Sequence, residues 1–131
     1  MTKKITKIYV FGNLLVKEDS LPQRLLPKLK KEFNHIDFVV TDPNENFPPD
    51  NEKSLVILDT VIGIKKPLIL DLDKLQDKST TPVSPHDYDL MFHLMLLKKT
   101  KRLEKVIIIG IPPKLSREGW LDLIELFPLH F

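Results

Sequence analysis

Cysteine is absent from this 131-residue chain. Its absence excludes disulfide scaffolds, thiol nucleophiles and thiolate metal sites, so any metal site must use histidine and oxygen ligands. Glycine is scarce, with 4 residues against 11 prolines, which points to stiff loops. No apolar run approaches membrane-spanning length. A marked excess of one charge is missing too: 20 basic and 18 acidic side chains give a net charge of +2. Nucleic acid and membrane surfaces usually demand a concentrated basic patch, so neither is expected as the main partner. Lys3-Lys4, Lys30-Lys31 and Lys98-Lys99 fall at element ends or exposed helix faces and read as solvated surface. Met1-Thr2-Lys3-Lys4 leads straight into a strand pattern, so no signal peptide is expected and the expected compartment is the cytoplasm. The length fits one domain, 1–131, able to bury a proper core.

What is present is an alternation of strand and helix patterns. Ile5 to Phe11 is β-branched and aromatic and predicts a strand that Gly12-Asn13 ends. Leu14-Leu15-Val16 is apolar and is expected to tuck the next loop against the core. Glu18, Asp19 and Ser20 read as a helix start, with the acids complementing the positive end of the dipole. Leu21, Leu25, Leu29 and Phe33 recur at helical spacing, which predicts a helix over 20–33 kinked at Pro27. Ile36 to Thr41 predicts a second strand, and 42–53 is polar and proline-rich and reads as loop. Leu55 to Leu58 predicts a strand buried on both faces, ending at Asp59. Gly63 marks a turn before a strand at Pro67 to Leu70; 71–83 reads as polar loop or broken helix.

Ser84-Pro85-His86-Asp87 opens the next helix: Ser84 as N-cap, Pro85 in the first helical position, Asp87 completing a capping box. Leu90, Met91, Leu94 and Leu97 carry it to about Lys99. Val106 to Ile111 predicts a second strand buried on both faces. Ser116 caps a last helix with Trp120, Leu121, Ile124 and Leu126 inside, and Pro128 ends it. Two strands that need cover on both faces predict an α/β fold: a three-layer sandwich, with a mixed, mostly parallel sheet of about five strands and helices on both faces.

Three places on this pattern could carry chemistry. Asp59 stands at a strand's carboxyl end, where open α/β sheets bind ligands; a turn or cap is the plainer role for a lone aspartate. His86 sits near the positive end of a helix, which disfavours protonation, and neutral imidazole binds metals or acts as a base. A surface histidine in a first helical turn accounts for His86 equally well. His93, two turns on, is roughly 10 Å away by helix rise, too far to share a metal with His86. Of the neighbours Glu18 and Asp19, one is expected to face the crevice and the other solvent. One carboxylate, Asp59 and His86 together make an oxygen–oxygen–nitrogen set suited to zinc, nickel or a similar divalent ion.

These residues also carry a resemblance. Gly12-Asn13-Leu14-Leu15-Val16-Lys17-Glu18-Asp19 resembles the GNxLxxDD/DE opening of hydrogenase maturation endopeptidases. Leu58-Asp59-Thr60 with Gly63 and Pro67 resembles their DAxxxGxxPG segment. Ser84-Pro85-His86 matches their SPH motif, and Ile109-Gly110-Ile111-Pro112-Pro113 is similar to their IGIxP strand end. Four motifs in order, along nearly the whole chain, carry more weight than any one alone. Those enzymes remove the C-terminal extension from the large-subunit precursor of nickel–iron hydrogenases. The resemblance implies a nickel-dependent peptidase whose metal is contacted by Asp19, Asp59 and His86, also its expected catalytic residues, with Gly12 and Asn13 shaping the substrate loop. The nickel belongs to the enzyme or arrives with the precursor, and water activation by the metal or by a carboxylate base is equally open.

The chain departs from the family at several places. Ser20, Leu21 and Pro22 replace glycines after the acidic pair, Asp42-Pro43-Asn44-Glu45 replaces a glycine-rich loop, and Leu68 follows Pro67 where the family has glycine. An active but divergent member is expected. The alternatives are a non-cleaving factor that binds metal and precursor, and a receiver-like phosphoacceptor domain with Asp59 as acceptor. In a receiver the acids should follow the first strand at once, and His86 would go unused.

Overall fold

The computed structural model of the chain describes residues 7–12, 15, 20–41, 47–49, 51–71 and 96–127. Among the described residues five strands form one sheet: β1 (Lys7–Val10), β2 (Asp37–Val40), β3 (Ser54–Thr60), β4 (Leu68–Asp71) and β5 (Lys105–Ile111). Their spatial order is β2-β1-β3-β5-β4. β1, β2, β3 and β5 run parallel; β4 lies antiparallel against β5, with Leu68 opposite Gly110 and Asp71 opposite Ile107. The expected mixed, mostly parallel α/β sheet is therefore present.

The apolar runs set the centre of the sheet. Six consecutive residues of β3 and six of β5 are buried. Period-two alternation divides them between two cores. On one side Val56, Leu58, Ile107, Ile109 and Ile111 join Ile8, Val10 and the helices α1 (Leu21–Arg24), α2 (Leu26–Glu32) and α4 (Arg117–Glu125). On the other, Leu55, Ile57, Val106 and Ile108 join Tyr9, Phe11, Phe47, Leu103 and Leu97 of α3, which is described over 96–99.

Several expectations need correction. The helix predicted over 20–33 is two helices, broken at Leu25 rather than kinked at Pro27 itself. A proline cannot donate to the carbonyl four residues before it, so the interruption falls on the turn preceding Pro27. Leu25 keeps helical angles (φ −84°, ψ −12°), and the buried stripe of Leu25 and Leu29 survives the break, joined by Leu26. Ser20 precedes α1 but makes no side-chain capping bond. Leu15 does not tuck against the core; it is 94% exposed.

The segment 42–53 is not simply polar loop, because Phe47 is buried edge-on against Tyr9 and Phe11, with ring centroids 5.2 and 5.1 Å away. That contact brings Glu52 within reach of β1. The Tyr9 hydroxyl donates to Glu52 Oε2, and Lys7 Nζ lies 3.2 Å from Glu52 Oε1. Burial, then the hydrogen bond to Glu52 and the charges of Glu52 and Asp37, push the Tyr9 phenol above its ordinary range. In α4 the buried residues are Gly119 and Leu123, continued by Phe127 just beyond the helix, and Leu121 faces solvent at 53% exposure. The helix itself starts as expected, with Ser116 Oγ accepting from Gly119 N at 3.0 Å.

Candidate functional site

Among the described residues, the sheet order places a topological switch point between two strands. From β1 the chain leaves by α1 and α2 towards β2; from β3 it leaves the other way, towards β4 and β5. Between strands whose connections diverge, the carboxyl ends open a gap in which α/β proteins bind ligands. Here the two strands are β1 and β3. They pair at Tyr9–Ile57 and Val10–Leu58, and a bond runs from Phe11 N to Leu58 O at 2.9 Å. Gly12 then turns the chain away at φ 145°, an angle L-residues rarely adopt. Its carbonyl is held by Gln23 Nε2 at the end of α1.

β3 outruns β1 by two residues, and these are Asp59 and Thr60. The sequence pattern places Asp59 just after the strand; the structure places it inside, opposite Gly110 of β5. It is buried, at 4% exposure. In a parallel ladder, Thr60 N should bond to β1 after Leu58 O has done so. β1 has already turned away, and Thr60 N donates instead to Asp59 Oδ1 at 2.8 Å. The carboxylate thus caps a ladder that has lost its partner, a structural task any functional role must accommodate. Gly110 keeps the strand beside Asp59 close: a methyl group there would lie 2.8 Å from Val61 Cγ2.

Thr60 is the residue that the sequence pattern did not single out. It is fully buried, and its Oγ1 has no hydrogen-bond partner. The signal was available, since the alternation that points Leu58 into the α1/α2 core points Thr60 the same way.

The structure thus brings Gly12 and Asp59 to the same carboxyl edge of the paired strands β1 and β3. Asp19, Asn13 and His86 lie outside the described residues, as do Glu18 and His93. Among the described residues no group of three or more histidine, cysteine, aspartate or glutamate side chains could hold a metal ion. Of the predicted oxygen–oxygen–nitrogen set, Asp59 is the member that lies within the described residues, a buried carboxylate whose Oδ1 accepts from Thr60 N. Among the described residues no helix is long and apolar enough to cross a membrane. Comparisons with protein-family models, with curated proteins and with solved structures gave no match.

Proposed function

We propose that the chain is an endopeptidase of the hydrogenase-maturation type, acting on the C-terminal extension of a nickel-loaded large-subunit precursor. The observation that carries this reading is the placement of Asp59. A carboxylate is buried at the carboxyl end of a central strand, beside the gap left where β1 turns away at Gly12. Gly12 and Asp59 belong to two of the four motifs that suggest the family, and the fold brings them to one edge. In this reading Asp19, Asp59 and His86 contact the nickel, which travels with the substrate, and nickel bound there would polarise the scissile peptide group. Gly12 and Asn13 shape the loop on which the tail lies. The receiver-like alternative is disfavoured by the sheet: β5 lies beside β3, and β4 is antiparallel at the edge, whereas flavodoxin-like sheets keep the order 2-1-3-4-5.

The test is incubation with nickel-loaded and nickel-free precursor, followed by mass. Cleavage of the loaded form alone supports the reading; binding without cleavage converts it to a non-cleaving maturation factor. Asp59→Asn sharpens the result. The amide oxygen can still accept from Thr60 N, so the ladder cap survives while the negative charge is lost. The expected outcome is a folded protein with processing abolished, and His86→Ala should abolish processing likewise. An Asp59→Asn enzyme that still processes precursor at the wild-type rate would leave Asp59 a purely structural residue.

A further inference from the structure

The turn that joins α3 to β5 holds a lysine where glycine is the better residue. Lys101 N donates to Lys98 O and Arg102 N to Leu97 O, both at 3.0 Å. That pair of bonds closes a helix through a residue in the left-handed region just past its cap, most often a glycine. Here the residue is Lys101, at φ 64°. A side chain with a Cβ is disfavoured at that angle, so the lysine is held there at the expense of the fold. A residue kept in such a conformation points to something its side chain does.

The surroundings of Lys101 indicate what that is. Glu104 N donates to Lys53 O at 2.6 Å, and Ser54 pairs with Lys105 where β3 and β5 begin. The stretches 51–54 and 96–105 therefore meet at the amino ends of the two central strands. They bring together Lys53, Lys98, Lys99, Lys101, Arg102 and Lys105, with Glu52 and Glu104 as their acids. Lys53, Lys99, Lys101 and Arg102 are exposed. Glu52 is engaged by Lys7 and by the Tyr9 hydroxyl. The near balance of the whole chain, 20 basic against 18 acidic side chains, is not kept in these two stretches.

We infer that this turn is a docking surface for an acidic segment of a partner protein, whose carboxylates face Lys53, Lys99, Lys101 and Arg102. A protein fits better than a nucleic acid for two reasons. Neither stretch carries an aromatic side chain on which bases could stack, and the exposed Glu104 would stand against a continuous line of phosphates. The surface is also apart from the candidate site. Lys53 and Asp59 lie near opposite ends of β3, roughly 20 Å apart by the rise of a strand. The surface owes nothing to the peptidase reading.

The probe is a short fluorescent peptide of alternating glutamate and aspartate, titrated with the whole chain at low salt and read by anisotropy. Lys99→Glu/Lys101→Glu should weaken its binding about tenfold, the effect of reversing two exposed charges. Lys30→Glu/Lys31→Glu, at the end of α2, makes the same change in net charge and should leave the binding unchanged. Lys101→Gly should raise Tm by about 2 °C, because glycine meets the angle without strain. It should also weaken the peptide about threefold, as one exposed charge is lost. Equal weakening by the two double variants would reveal a general response to net charge and would overturn the inference. So would a wild type that ignores the peptide, or a Lys101→Gly variant with an unchanged or lower Tm. Single-stranded DNA bound more tightly than the peptide, and released by Lys99→Glu/Lys101→Glu, would overturn it as well.

Discussion

Gly110→Ala tests the packing that holds Asp59 in place. Gly110 is pinned from two sides, opposite Asp59 on β3 and opposite Leu68 on β4, so its backbone has little room to withdraw. The new methyl group would stand 2.8 Å from Val61 Cγ2, 3.4 Å from Val61 Cβ and 3.5 Å from Ile64 Cδ1. Carbon atoms prefer separations of about 3.5–4.0 Å, so the first contact is well inside repulsion. Val61 cannot easily yield, because it is 2% exposed and β-branched, with one χ1 well strongly preferred. Overpacking of this kind costs about 1–3 kcal/mol. Replacing glycine also restricts the unfolded chain, which returns about 0.4–1 kcal/mol. The balance is a loss of about 1–2 kcal/mol. In urea, with a slope of about 2 kcal/mol per molar, the midpoint should fall by about 0.5–1 M. The penalty should shrink when Val61→Ala is made first, because the clashing methyl is then gone, and a double-mutant cycle reads that coupling directly. A midpoint that holds or rises in Gly110→Ala alone would refute the argument, and so would a penalty of the same size in the Val61→Ala background.

Two further perturbations read other parts of the fold. Tyr9→Phe removes the hydroxyl that donates to Glu52 and should cost about 1 kcal/mol at neutral pH, seen as a lower denaturant midpoint. The same phenol has its pKa raised in the folded state, so the unfolded chain loses its proton first, near pH 10. Wild-type stability should therefore fall as pH rises through that value, and Tyr9→Phe should lack that component of the loss. Ser116→Ala removes the one side-chain bond capping α4 and should cost about 1 kcal/mol by chemical denaturation.

The strands of the sheet centre were legible because they are continuous apolar runs. Leu55 to Leu58 and Val106 to Ile111 both proved buried on two faces. Ser116 was legible as a cap because its chemistry is local: a hydroxyl three residues before an unpaired N–H. What could not be read was anything decided by a partner distant in sequence. Nothing near Leu68 states that β4 will lie antiparallel to β5, and nothing near Asp59 states that β5 will extend the strand by two residues to include it. Phe47 sits among prolines and acids, and only the arrival of β1 beneath it makes it core. Leu121 fits the helical spacing as well as Leu123 does; α4's rotation on the sheet, set by Gly119 and Phe127, decides between them. At the candidate site, Gly12 and Asp59 were named from the sequence and meet at one edge. Thr60 was passed over because a hydroxyl's worth depends on what surrounds it.

The position of β4 has a consequence for how the chain is made. As synthesis proceeds, β1 and β2 emerge in turn and can pair at once, and β3 can join β1 as soon as Thr60 is out. β4 follows but has no place to go: among the described residues its neighbour in the sheet is β5, and Lys105–Ile111 is synthesised long after Leu68–Asp71. Until then β4 is a free strand, and β3, apolar on both faces, has an open side. Contacts between segments so far apart in sequence form slowly, and exposed strand edges invite association with other chains. The stretch from β4 to β5 is thus the interval in which a nascent chain is most in need of a chaperone. Slowing translation before Lys105 should lower the soluble yield, whereas slowing it after Ile111 should leave the yield unchanged.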